Sequence, residues 1–168
     1  MLEKVKEYKM KHNNLKLIPI NTDNYWEIGW LELKEEQKDY VGDNFKSMAY
    51  AYATVMEGKY AKAFGIYDGD ESIGFLLIGH NSYDFVGCPK TLKHSYDLWR
   101  IMIDKDYQGK GYGKSAAELL IKILKNANPN KPIKLAVDKN NTKAHKLYTS
   151  LGFKETIEKD GEDLVFVL

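Results

Sequence analysis

The sequence carries a glycine-rich run, Gln108-Gly109-Lys110-Gly111-Tyr112-Gly113, between two regular segments. Tyr96 to Ile103, just before it, alternates as a strand does. Leu98, Arg100 and Met102 are expected on one side, and Trp99, Ile101 and Ile103 on the other. After it, Ala116, Leu119, Leu120, Ile123, Leu124 and Ala127 recur at helical spacing. They define an amphipathic helix from Tyr112 to about Asn126, closed by Pro129 and Pro132. The order is thus strand, glycine-rich turn, helix. Unpaired N–H groups at such a helix start carry the positive end of the helix dipole and bind phosphate oxygens. Glycines let a ligand approach the backbone closely. A Walker A loop ending at Gly113-Lys114-Ser115 needs Gly at 108, which is Gln. A dinucleotide fingerprint starting at Gly109 needs Gly at 114, which is Lys. The pattern that remains is [Q/R]-x-x-G-x-[G/A], carried by Gln108, Gly111 and Gly113. On these residues alone, a purely structural tight turn stays open.

Downstream, Ile133 to Val137 reads as a short strand and Thr142 to Leu151 as a helix stopped by Gly152. Phe153 to Lys159 and Glu162 to Leu168 read as a hairpin turned at Asp160-Gly161. Upstream, Leu15 to Ile20 is a first strand, followed by caps at Asn21 to Asn24. Helices are expected from Tyr25 to about Leu33, from Lys34 to about Tyr40, and from Asp43 to Glu57. Ala63 to Tyr67 and Glu71 to Gly79 form a hairpin, and Asn81 to His94 reads as a loop. The fold class is therefore mixed α/β (α+β), one β-α-β crossover in a largely antiparallel sheet. The chain is read as a single domain over 1–168, with 1–14 as an N-terminal extension.

The chain has 168 residues, 43% hydrophobic and 29% charged, as a globular domain with its own core requires. No apolar run reaches the ~20 residues that cross a bilayer. Residues 1–14 are Lys-rich without a signal-peptide core, so a cytoplasmic location is expected. Cys88 is the only cysteine, which excludes an internal disulfide and a multi-thiolate zinc site. The four histidines show no metal-binding spacing, so no metal is expected. A net charge of +1 creates no global field for nucleic acid. Positions 21–72, however, hold eleven Asp/Glu against five Lys. That surplus suits a cationic small molecule as well as an ordinary solvated surface.

A second motif decides between the readings of the glycine turn. Asn141, Ala144, Leu147, Tyr148, Gly152 and Phe153 match N-x-x-A-x-x-[L/F]-Y-x-x-x-G-[F/A]. With Gln108, Gly111 and Gly113, one helix and one strand earlier, the chain resembles the GNAT (Gcn5-related N-acetyltransferase) superfamily. The resemblance implies a mostly antiparallel twisted sheet of about seven strands with a splayed parallel pair, flanked by helices. It implies acetyl-CoA as cosubstrate, with no metal. The turn from Gln108 through Gly109, Lys110, Gly111, Tyr112 and Gly113 to Lys114 would hold the pyrophosphate. The backbone of Ile101, Met102 and Ile103 would pair with pantetheine, and Asn141 would contact it. Tyr148 would be the general acid for the leaving thiolate.

The region from Trp30 to Ala49 resembles that of bacterial spermine/spermidine (diamine) acetyltransferases, as do Ile73-Gly74-Phe75 and Asp104 to Gly111. This implies a polyamine substrate. Aromatic Tyr25, Trp26, Trp30 and Tyr83, with spaced carboxylates, would suit such a polycation. Another amine (antibiotic, amino acid or protein) and a non-catalytic CoA-binding regulator are the alternatives. An alkylammonium with a pKa of about 10.4 must lose a proton before it attacks. Asp97, Glu32 and Asp84 are the candidate acceptors and substrate contacts. Proteins of this type are often homodimers.

Overall fold

A computed structural model describes residues 8–9, 14–80 and 94–168. The strands are β1 (Tyr8–Lys9), β2 (Leu15–Pro19), β3 (Tyr60–Asp68), β4 (Glu71–His80), β5 (Tyr96–Ile103), β6 (Ile133–Val137), β7 (Lys154–Asp160) and β8 (Asp163–Val167). The helices are α1 (Tyr25–Gly29), α2 (Asn44–Met56), α3 (Tyr112–Ala127) and α4 (Thr142–Ser150). All strands join one sheet in the order β1-β2-β3-β4-β5-β6-β8-β7. Seven strands match the expected set, and the two-residue β1 adds an eighth beside β2. Every described neighbour pair is antiparallel except β5 and β6, which α3 connects.

The two faces of the sheet bury different sets. α3 places Ala116, Leu119, Leu120, Ile123 and Leu124 against Leu15, Ile66, Leu76 and Leu98. These are the periodic positions of the sequence, and each buried large side chain is worth roughly 1.5–3 kcal/mol of transfer free energy. On the other face Ile28 of α1 and Ala51 of α2 cover Tyr67, Phe75, Leu77 and Met102.

Three expectations need correction. The helix expected to run to Leu33 ends at Gly29, where the Phe45 ring lies 2.2 Å from the point a Cβ would occupy. The helix expected over Lys34 to Tyr40 is only a 3-10 turn at Glu35–Gln37 with no buried residue. Without an apolar face to dock, a seven-residue helix has too little to offset its nucleation cost. The alternation of β5 is broken by a bulge: Leu77 pairs with Arg100 but Ile78 with Leu98, leaving Trp99 as the extra residue. Parity therefore flips midway. Leu98, Ile101 and Ile103 share the α3 face, while Trp99 and Met102 face α1 and α2. Asp84, Tyr83, Cys88 and most of the 1–14 extension and 81–94 loop lie outside the described residues.

Candidate active site

The parallel pair splays. β5 and β6 are matched only at Tyr96–Ile133, Asp97–Lys134 and Leu98–Leu135. Beyond that point Arg100 to Ile103 keep only β4, and Ala136 and Val137 keep only β8. A cleft opens between the strand ends, with a cavity of about 480 Å³ on one side and one of about 750 Å³ on the other. Both cavities are lined by Tyr40, Val41, Ile101, Asn141, Ala144 and Tyr148. Those residues are the junction at which two ligands entering from opposite mouths would meet.

The smaller cavity takes in Gln108, Gly109, Gly111, Tyr112 and Gly113. Gly109 and Gly111 have φ of +80° and +86°, a region closed to most side chains, and a Cβ on either would meet nothing within 4 Å. Gly111 caps α3 without any side-chain hydrogen bond, and the first turn has no acidic residue. The amides at this helix start are thus left for an anion. At Gly113 a Cβ would lie 3.7 Å from Ile103, an ordinary contact. The protein's own packing therefore does not demand glycine there, in keeping with a motif that admits Ala. The Gln108 amide Nε2 donates to Ile103 O (2.9 Å) and to Gln37 Oε1 (2.7 Å). It ties the turn to the end of β5 and to the 3-10 segment. Tyr112 Oη donates to Asp68 Oδ2 (2.6 Å), fixing the helix start to β3. Lys110 and Lys114 are exposed and line neither cavity. Lys110 Nζ sits 5.2 Å from the Tyr107 ring centre. Lys143, on the first turn of α4, lines the mouth instead, and its type and position carry no signal in the sequence.

Asn141 caps α4, its Oδ1 accepting from Ala144 N (3.1 Å). Its Nδ2 has no protein acceptor among the described residues, and the residue lines the cleft junction. Tyr148 follows two turns later. It is 6% exposed and packs edge-on against Phe153, with ring centres 5.6 Å apart. Its hydroxyl bonds to no described residue and is not sealed off from the cavities that the residue lines. Burial pushes the phenol's pKa well above its ordinary value, so the proton stays on oxygen at neutral pH.

The larger cavity carries carboxylates: Asp39, Asp97, Asp138, Asp160 and Asp163. Burial pushes Asp163 up from the usual carboxylate range, reinforced by Asp138 and Asp160 and opposed by Arg100. Asp97 is buried and lines this cavity, as its candidacy requires. Its Oδ1, however, already receives Ser95 Oγ (2.7 Å) and lies 3.0 Å from the equally buried Lys134 Nζ. Glu32 lines neither cavity; it is exposed and pairs with Lys105 (2.5 Å), which lowers its pKa through that hydrogen bond and charge. Trp26 and Trp30 also lie away from the cleft, packed edge-on against each other, with Phe45 edge-on to Trp30 and tilted against Trp26. The aromatics at the larger mouth are Tyr40, Tyr50 and Trp99, with Tyr50 T-shaped over Trp99 at 5.4 Å. The acidic surplus of positions 21–72 contributes only Asp39. The other acids come from β5, β6 and the closing hairpin. No group of His, Cys, Asp or Glu among the described residues has the arrangement of a metal site. No described helix is long and apolar enough to cross a membrane.

Residues 24–153 match the acetyltransferase (GNAT) family. The chain is 30% identical over 142 residues to a spermine/spermidine N(1)-acetyltransferase of Bacillus subtilis strain 168, covering 84% of this chain and 88% of that protein. A ribosomal L7/L12 alpha-N-protein acetyltransferase solved in complex with coenzyme A superposes with a TM-score of 0.68, at 12% identity and 97% coverage of both chains. A dodecameric spermidine N-acetyltransferase from Vibrio cholerae gives 0.62, at 18% identity and 92% and 91% coverage.

Proposed function

The chain belongs to the GNAT acetyltransferase family, and from that premise we propose that it moves the acetyl group of acetyl-CoA onto a primary amine of a polyamine such as spermidine or spermine. One observation carries the reading: an anion cradle and a carboxylate-lined cavity meet at a protonated, unpartnered phenol. Acetyl-CoA supplies an activated acyl carbon and a thiolate leaving group. The amides from Gln108 to Lys114 would bind its pyrophosphate, and the β5 edge at Ile101, Met102 and Ile103 would pair with its amide arm. Asn141 Nδ2 offers that arm a further donor.

Each residue then has a defined task. The larger cavity draws the ammonium by its carboxylates, and the proton leaves on that side, since only the neutral nitrogen attacks. The new C–N bond forms as the C–S bond breaks. Tyr148 gives its proton to the departing sulfur and recovers one from solvent. Holding both reactants at the Ile101–Tyr148 junction supplies the proximity. No covalent bond to the protein is required.

The test is an amine panel with free thiol as readout. Spermidine and spermine should release thiol with a kcat/KM well above that of amino acids, aminoglycosides or peptides. Activity on those alternatives with none on polyamines would overturn the substrate assignment and leave the acetyltransferase reaction standing. Absence of thiol release with any amine, while coenzyme A still binds, would favour a regulator.

A further inference from the structure

On the wall of the larger cavity, the sheet brings three carboxylates together by register. Ala136 of β6 faces Val165 of β8, and both line the cavity. One step further on the same face are positions 138 and 163. Asp163 is in turn matched directly with Asp160 of β7. All three side chains line the cavity. Like charges placed directly opposite each other across strands destabilise a sheet. Lys139, the neighbour of Asp138, is bound to Glu162 at 2.9 Å, and Asp138 Oδ1 accepts from the Asn140 backbone N–H (2.7 Å). The other charged groups of the cavity are Asp39, Lys46, Arg100 and the Asp97–Lys134 pair. Arg100 acts on Asp163 favourably, yet the net influence on Asp163 still disfavours its charge.

A second feature of the same cavity also points to a ligand. Tyr148 is more than nine-tenths buried, and its hydroxyl has no partner among the described residues. The same cavity therefore holds a lone donor at Tyr148 and an excess of negative charge at Asp138, Asp160 and Asp163. A molecule that meets both has a nucleophile at one end and a cation some methylenes away. We propose that Asp138, Asp160 and Asp163 hold the distal ammonium of the substrate and select a diamine or polyamine over a monoamine. The inference rests on the polyamine reading above and adds the residues that enforce it.

The test compares spermidine with n-butylamine as probes on the wild type and on an Asp138→Asn/Asp160→Asn/Asp163→Asn triple variant. The ratio of kcat/KM for spermidine to that for n-butylamine should fall at least about tenfold in the variant, the effect of about 1.4 kcal/mol of lost charge pairing. The melting temperature should hold or rise, because repulsion is removed. Added spermidine should raise it for the wild type and much less for the variant. An unchanged ratio and an unchanged spermidine-induced shift would overturn the inference while leaving polyamine acetylation intact. A wild type that turns over n-butylamine but no polyamine defeats the substrate reading, and this inference with it. If the variant fails to fold, Asp163→Asn alone, read by the same ratio, decides.

Discussion

Replacing Tyr148 by Phe separates a catalytic hydroxyl from a structural one. The ring is packed on Phe153 and is kept in the variant. The hydroxyl donates to no described residue, so its loss orphans no acceptor and removes only one oxygen from the cleft wall. Deleting an unpartnered polar group costs no protein hydrogen bond, so the stability change should stay under about 1 kcal/mol. For a chain of this size that is a shift in melting temperature of roughly 2–4 °C at most. The chemical step should suffer far more. A positioned general acid contributes about 10²- to 10⁴-fold, and at 1.36 kcal/mol per tenfold that is about 3–5 kcal/mol of barrier. Thiol release under saturating acetyl-CoA and spermidine measures kcat, calorimetry measures acetyl-CoA affinity, and scanning fluorimetry measures stability. The expected pattern is kcat down at least a hundredfold, with affinity and melting temperature nearly constant. A kcat within threefold of wild type would refute the acid assignment. A fall of many degrees in melting temperature would refute the claim that the hydroxyl is unpartnered. Burial raises the phenol's pKa, so the protonated form persists as pH climbs, and no Tyr148-dependent falling limb should appear at its ordinary value of 10.0.

Three further outcomes are expected. Gly111→Ala places a Cβ in open space but at φ +86°, so the cost is backbone strain of about 1–2 kcal/mol; urea melts should show that loss, and KM for acetyl-CoA should rise because the cradle amides shift. Asn141→Asp keeps an oxygen to cap Ala144 N but removes the Nδ2 donor, so acetyl-CoA affinity should weaken at constant helix stability, whereas Asn141→Ala should also lose the roughly 0.5–2 kcal/mol of the cap. Asp163 has its folded pKa raised above the ordinary 3.8, so its ionisation opposes folding as pH rises through that range, fully above the folded value; Asp163→Asn should raise the melting temperature near pH 7, and the gain should vanish as pH falls below the ordinary aspartate value, where folded and unfolded chains are both protonated.

Local order was legible where a pattern repeats. The apolar spacing from Ala116 to Ala127 located α3, and the glycine spacing located the turn at its start, because both are properties of one contiguous segment. The acidic wall was not legible. Asp97, Asp138 and the Asp160–Asp163 pair are far apart in the chain and converge only because β8 pairs with β6 in the sheet. The count over positions 21–72 singled out a charged region whose acids mostly face elsewhere. Glu32 and the Trp26–Trp30 pair illustrate the same limit: residue type suited the role, but the short α1 turns them away from the cleft.

The bulge at Trp99 shows how one strand can wall two cavities. Without the extra residue, Leu98 and Ile103 would point to opposite faces and one would leave the α3 core. With it, Leu98 anchors the paired half of β5, while Ile101 and Ile103 anchor the splayed half on the same core. The strand can therefore part from β6 without losing its packing. Its N–H and C=O groups beyond Leu98 then face a cleft rather than a neighbour, an edge of the kind that extended ligands pair with. The same flip sends Trp99 toward the carboxylate cavity beneath Tyr50. One inserted residue thus lets a single strand wall both the cavity at the glycine turn and the cavity lined by carboxylates. Removing the bulge by deleting Trp99 should abolish binding at both mouths together, whereas a lesion confined to either cavity should spare the other.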